Sequence, residues 1–113
     1  MSVRYLIRLP DPAAARGKDP ALSFTANGFA AFAEQLQEAL RSTGLFERWR
    51  QTQPDPDAVD PALGATDPQA QVEGRREDMS VYLTAVTSLP GEIVRHRLRL
   101  LAGSHWELRD VRG

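Results

Sequence analysis

The sequence predicts an α+β domain: a mainly antiparallel sheet of four to five strands, in two-layer packing with one principal amphipathic helix on one face. Three observations lead there. The chain opens on a run of period two, passes into a run of period three to four, and closes on further strand-like runs separated by turn residues. Its 113 residues leave room for a single domain, 1–113, and 42% hydrophobic residues supply a small core.

Val3, Tyr5, Ile7 and Leu9 alternate with Arg4, Leu6 and Arg8, which turns one apolar face inward and two arginines outward. This is the first expected strand. Pro10 and Pro12 remove ladder donors and end it, and residues 10–20 read as a loop. Next, Phe29, Phe32, Ala33, Leu36, Ala39 and Leu40 recur every three or four positions, while Glu34, Gln35, Gln37, Glu38 and Arg41 fill the other side. That spacing predicts a helix near residues 25–43. Thr25 is its expected cap, with Asn27 as the alternative because Gly28 weakens the first turn, and Gly44 is its expected stop.

Residues 45–51 fit either a helical turn or a strand. Residues 52–68 hold four prolines and four aspartates with little that is apolar, which predicts an irregular or mobile excursion. The acidity is local, since residues 51–80 carry seven acidic and two basic groups.

Residues 79–88 and 93–101 both alternate, and Pro90-Gly91 between them has the composition of a type II turn. A two-residue loop there aligns Val81 with Leu100, Leu83 with Leu98, Ala85 with His96 and Thr87 with Val94. Tyr82, Thr84 and Val86 then face Arg99, Arg97 and Arg95 on an outward surface. A three-residue loop over residues 102–104 returns a further strand, residues 105–112, with Trp106 on Leu100, Leu108 on Leu98, Glu107 opposite Arg99 and Asp110 opposite His96. A two-residue loop would turn Glu107 toward the core. Residues 69–75 add a thinner edge strand. The expected core joins Tyr5, Ile7, Phe32, Leu36, Leu83, Leu98, Trp106 and Leu108.

Composition narrows the chemistry. With 14 basic and 15 acidic residues the formal charge is −1, so nucleic acid or anionic lipid requires a local patch. The absence of cysteine excludes disulfides, thiolate nucleophiles and cysteine-ligated zinc. No apolar run approaches the roughly 18 residues of a membrane span, and none of signal-peptide length follows the first residues. The expectation is a cytoplasmic protein without a membrane partner. Thirteen arginines against one lysine, with abundant alanine, read as the imprint of a GC-rich bacterial genome.

Only His96 and His105 are histidines, without close metal-ligand spacing, so no metal site is expected. Asp55, Asp57 and Asp60 resemble the start of a calcium loop, but Asp60 stands where that loop needs glycine and Thr66 where it needs glutamate. Gly17-Lys18 lacks the earlier glycine of a phosphate-binding loop, and no cofactor is expected. His96 and Asp110 are the one histidine and carboxylate that the inferred register brings together. A carboxylate can orient an imidazole as a catalytic base requires, but no nucleophile motif accompanies them. A polar pair that satisfies its own hydrogen bonds is the expectation, with no catalytic residue.

Arg95, Arg97 and Arg99, with Tyr82 nearby, are the strongest expected surface feature. The function these readings support is a small non-catalytic interaction or adaptor module, engaging a protein partner or itself through an open edge strand. The alternative is single-stranded nucleic acid, its phosphates held by the three arginines and a base stacked on Tyr82.

Overall fold

A computed structural model describes residues 2–113. One antiparallel four-stranded sheet is built from β1 (Val3–Leu9), β2 (Gln71–Glu77), β3 (Ser80–Thr87) and β4 (Glu107–Arg112). Three helices, α1 (Phe29–Arg41), α2 (Gly44–Arg50) and α3 (Gly91–Ala102), accompany it. The sheet order is β2-β3-β1-β4. β1 and β2 therefore run in the same direction on either side of β3, and β3 and β4 do so on either side of β1. Strands of like direction cannot be joined by a hairpin, so a helix must cross between them. The result is the split βαβ, or ferredoxin-like, connectivity, with α2 added after α1.

The first strand stands where the periodicity placed it, and the edge strand lies two residues further along, at Gln71–Glu77. The main correction falls on residues 93–101, which form α3 and not a strand. Ile93, Val94, Arg97, Leu98, Leu101 and Ala102 are its buried residues, a helical period that includes an arginine. Leucine and arginine favour a helix over most of this length, and Pro90 serves as its N-cap instead of turning a hairpin. None of the pairings inferred across Pro90-Gly91 forms. β3 pairs with β1, Leu83 opposite Ile7 and Tyr82 opposite Arg8.

Three helices replace the single principal one. α1 starts at Gly28, because Thr25 is engaged elsewhere: its hydroxyl accepts from Gln35 Nε2 at 2.7 Å and its N–H donates to Gln35 Oε1 at 3.0 Å. Gly44 opens α2 and does not close α1.

Tyr5, Ile7, Leu9, Val81, Leu83 and Ala85 from the sheet and Phe32, Leu36, Leu40, Ile93 and Leu98 from the helices form one buried cluster. Trp106 and Leu108 pack against it half-buried. Arg97 lies in this interior at 0% exposure. Its Nε donates to Ala39 O (3.2 Å), Nη1 to Leu63 O (2.6 Å) and Nη2 to Ala65 O (2.9 Å). The guanidinium thus satisfies a carbonyl near the end of α1 and fastens the excursion to the core. It also lies over the Phe46 ring, 5.8 Å from the centroid.

The excursion divides accordingly. Its first part is mostly exposed and includes the short 3₁₀ turn Pro56–Ala58, and the turn Pro61–Gly64 begins the docked part through Leu63. Its second part is docked. Beyond Arg97, the buried Asp67 accepts from Thr87 Oγ1 (2.7 Å), Ser88 N (2.9 Å) and Gln69 N (2.9 Å). The Ser88 bond is the main reason its carboxyl is held below the usual range. The segment expected to be irregular or mobile thus has no strand or α-helix, and Arg97 and Asp67 anchor it at two points. No helix among the described residues is long and apolar enough to cross a membrane.

Candidate functional site

Alternation along the strands sends Arg4, Leu6 and Arg8 of β1 and Tyr82, Thr84 and Val86 of β3 to the side opposite the core. The registers align them in rows. Gln71, Val86, Arg4 and Arg112 form one row across the sheet; Glu73, Thr84, Leu6 and Asp110 form the next; Arg75, Tyr82, Arg8 and Glu107 form the third. The two central strands contribute Leu6, Tyr82, Thr84 and Val86 together with Arg4 and Arg8, and the edges are charged apart from Gln71. A shallow depression of about 280 Å³ lies among Arg4, Leu6, Arg75, Thr84, Asp110 and Arg112.

The charges are mostly paired. Arg8 reaches Glu107 at 3.2 Å and Arg109, in the β4 bulge, reaches the same carboxylate at 3.1 Å. These bonds, Arg8 first, hold Glu107 below its usual range. Arg112 lies 2.6 Å from Asp110 and lowers it likewise. Arg75 sits over Tyr82, 4.7 Å from the ring centroid, and 3.4 Å from Glu77. Arg4 stands opposite Arg112, and among the described residues it forms no ion pair.

The arginines singled out from the sequence lie elsewhere. Arg95 and Arg99 are exposed on α3, one turn apart, and Arg97 points inward from the same helix. Only Tyr82 is on the sheet face. The strand assignment failed for all three arginines because their i, i+2 spacing imitates a strand while the helix rotates Arg97 away from its neighbours.

His96 and Asp110 do not meet. Asp110 stands opposite Leu6 on β4, whereas His96 lies on α3 with its ring edge-on to Trp49, centroids 4.5 Å apart. The aspartates of the calcium-like run are turn residues: Asp60 accepts from Ala62 N at 2.9 Å, and Asp57 is fully exposed 3.8 Å from Arg50. No group of three or more potential metal ligands occurs among the described residues.

His96 Nδ1 is buried without a hydrogen-bond partner among the described residues. Burial first, then Arg97 and Arg99, lower its pKa to about 4 from 6.5. As the pH falls through 6.5 the unfolded chain takes up a proton that the folded chain refuses. Stability from this group is therefore complete above pH 6.5 and is lost between pH 6.5 and 4. Partial exposure of the ring reduces the expected loss to about 1–2 kcal/mol. Urea midpoints measured at pH 7 and pH 5 should fall for the wild type and change less for His96→Phe. Equal falls in both proteins would contradict this assignment.

No protein-family model, curated protein or solved structure matches the chain.

Proposed function

We propose that this chain is a small bacterial interaction module in which the helices cover one face of the sheet and the other face docks a second copy of the same chain. The observation that carries this reading is the layout of that face: Leu6, Tyr82, Thr84 and Val86 lie at its middle, with Arg4 and Arg8 at the two ends of the β1 row and charged residues of both signs along the edges. An apolar centre with a polar rim is the anatomy of a protein interface.

Charge balance favours a copy of itself. Arg4, Arg8, Arg75, Arg109 and Arg112 are matched against Glu73, Glu77, Glu107 and Asp110. A two-fold interface presents the same patch from both sides, so it must carry both signs to be self-complementary. Four strands at about 4.8 Å spacing and about seven residues in length give a face of roughly 20 by 23 Å. Its corrugated surface is on the order of 600–800 Å² per partner, near the size of a standard interface.

The edges are poorer candidates for self-association. β2 carries Glu73, Arg75, Arg76 and Glu77, and β4 is charged and bulged, both devices that discourage strand addition. Single-stranded nucleic acid is the alternative occupant of the face. It is disfavoured because four carboxylates stand among the arginines and Arg75 already covers the Tyr82 ring.

Sedimentation velocity over a wide concentration range tests the reading. The wild type should show a monomer–dimer equilibrium, and Leu6→Glu or Val86→Glu should shift it to monomer while leaving the urea midpoint nearly unchanged. A monomer at every concentration, or a dimer that tolerates both substitutions, would overturn it. So would binding of a labelled oligonucleotide that weakens steeply with salt and is lost in Arg4→Glu.

A further inference from the structure

A second depression lies away from the sheet face, between the loop after β1 and the turn from α3 to β4. It is open to solvent, has a volume of about 460 Å³ and is lined by Arg16, Gly17, Lys18, Arg99, Gly103, Ser104 and His105. Arg16, Lys18, Arg99, an imidazole and a hydroxyl are among its lining groups, and no carboxylate lines it. Among the described residues, Arg16, Lys18 and Arg99 form no ion pair. In a chain of formal charge −1, so many cations gathered without counter-charge repel one another and gain from a shared anion.

The walls are held in place by the backbone. Phe24 N donates to Leu101 O at 2.8 Å, Gly17 N to Ser23 Oγ at 2.8 Å, and Ser23 Oγ to Leu101 O at 3.3 Å. The contact is close enough to demand glycine twice: a Cβ on Gly17 would lie 2.0 Å from Leu100 O, and Gly103 has φ 62° with Arg16 O 3.0 Å from where its Cβ would be. The cations on the two segments are therefore brought together before any ligand arrives.

The end of a helix ordinarily repels anions through its free carbonyls. Here three of the last four are engaged: Arg99 O accepts from Gly103 N, Leu101 O from Phe24 N and Ala102 O from His105 N. Arg16 donates from Nη1 to Ala15 O and from Nη2 to Ala26 O and lies over the Phe32 ring, so Lys18 and Arg99 are the main charges and Arg16 adds its remaining N–H groups.

The geometry points to a binding site for a phosphate monoester group, with Arg16, Lys18 and Arg99 as its charge partners and Ser104 and His105 as additional donors. A tetrahedral dianion accepts several charge-assisted hydrogen bonds at once, which matches converging donors better than a single carboxylate does. The group is carried either by a soluble metabolite or by a lipid headgroup.

Titration of the isotope-labelled full chain with inorganic phosphate at constant ionic strength tests the site by amide chemical shifts. Saturable shifts confined to residues 16–18 and 99–105 are expected. The double variant Lys18→Gln/Arg99→Gln alters two exposed side chains and should fold normally. Its affinity should fall at least about tenfold through lost charge-assisted bonds. Shifts that fail to saturate, spread over the whole surface, or persist in the double variant would overturn the proposal. Co-sedimentation with vesicles containing phosphatidic acid, lost in the same variant, identifies a lipid source; saturation by phosphate or glycerol phosphate without co-sedimentation identifies a soluble one.

Discussion

Arg97→Met is expected to lower stability by about 3–5 kcal/mol, more than an exposed arginine would ever cost. The substitution keeps most of the volume and removes the donors. Ala39 O, Leu63 O and Ala65 O then remain in the interior without their partner, and each buried carbonyl so left costs about 1–3 kcal/mol before water relieves part of it. Replacing a buried charged pair by apolar groups is often harmless, but here the acceptors are main-chain atoms and cannot be replaced. Arg97→Lys keeps the charge and loses the fork, so it should recover only part of the loss. Urea denaturation checks the magnitude. Amide exchange checks the mechanism, because residues 63–67 should lose protection ahead of the sheet in the methionine variant. A midpoint equal to the wild type would mean that the three bonds hold nothing together.

Leu98→Ala, at the next position, should cost about 2–5 kcal/mol by a different route. Leu98 is 0% exposed and belongs to the cluster that contains Ile7 and Leu83. Truncation removes buried methyl groups and opens a cavity whose walls cannot fully collapse, but it leaves no polar group stranded. The two variants therefore separate cavity cost from unsatisfied hydrogen bonding on one turn of α3. Leu98→Met, which preserves volume, should restore most of the loss, whereas no apolar residue should restore Arg97. A Leu98→Ala midpoint like that of the wild type would place this face of α3 outside the core.

Leu98 also shows how the sequence could be right about burial and wrong about form. Its inward position was legible, since both an alternating and a helical reading of residues 93–101 bury it. The two readings agree at Val94 and Leu98 and part elsewhere, most tellingly at Arg97 and Leu101, which only the helix buries. Arginines at positions 95, 97 and 99 suggest one solvated strand face, and only by admitting a buried arginine does the period through 93, 94, 97, 98, 101 and 102 become visible. Arginine is so seldom fully buried that the pattern misdirects. β1 and α1 carried no such conflict, because every charged residue there stands on the outward side.

The outward position of Tyr82 followed from parity and survived a change of partner from residues 93–101 to β1. Residues 16–18 and 99–105 gave no comparable signal. Neither segment has a motif, and they meet only because the fold packs the end of α3 against the loop after β1.

The sheet order bears on how the chain reaches this state. β1 lies between β3 and β4, so Val3 must find Thr87 and Arg4 must find Arg112 from the opposite end of the sequence. Only the β2–β3 hairpin, turning at Asp78 and Met79, closes locally. Long loops pay their closure entropy before the contacts that reward it are made, which slows folding relative to a helical bundle of this size. β1 is fully paired only once β4, from the far end of the chain, has docked. Until β4 arrives, the side of β1 that will become interior to the sheet is a bare edge, and the half-folded chain is at its most adhesive while its native surface is still incomplete.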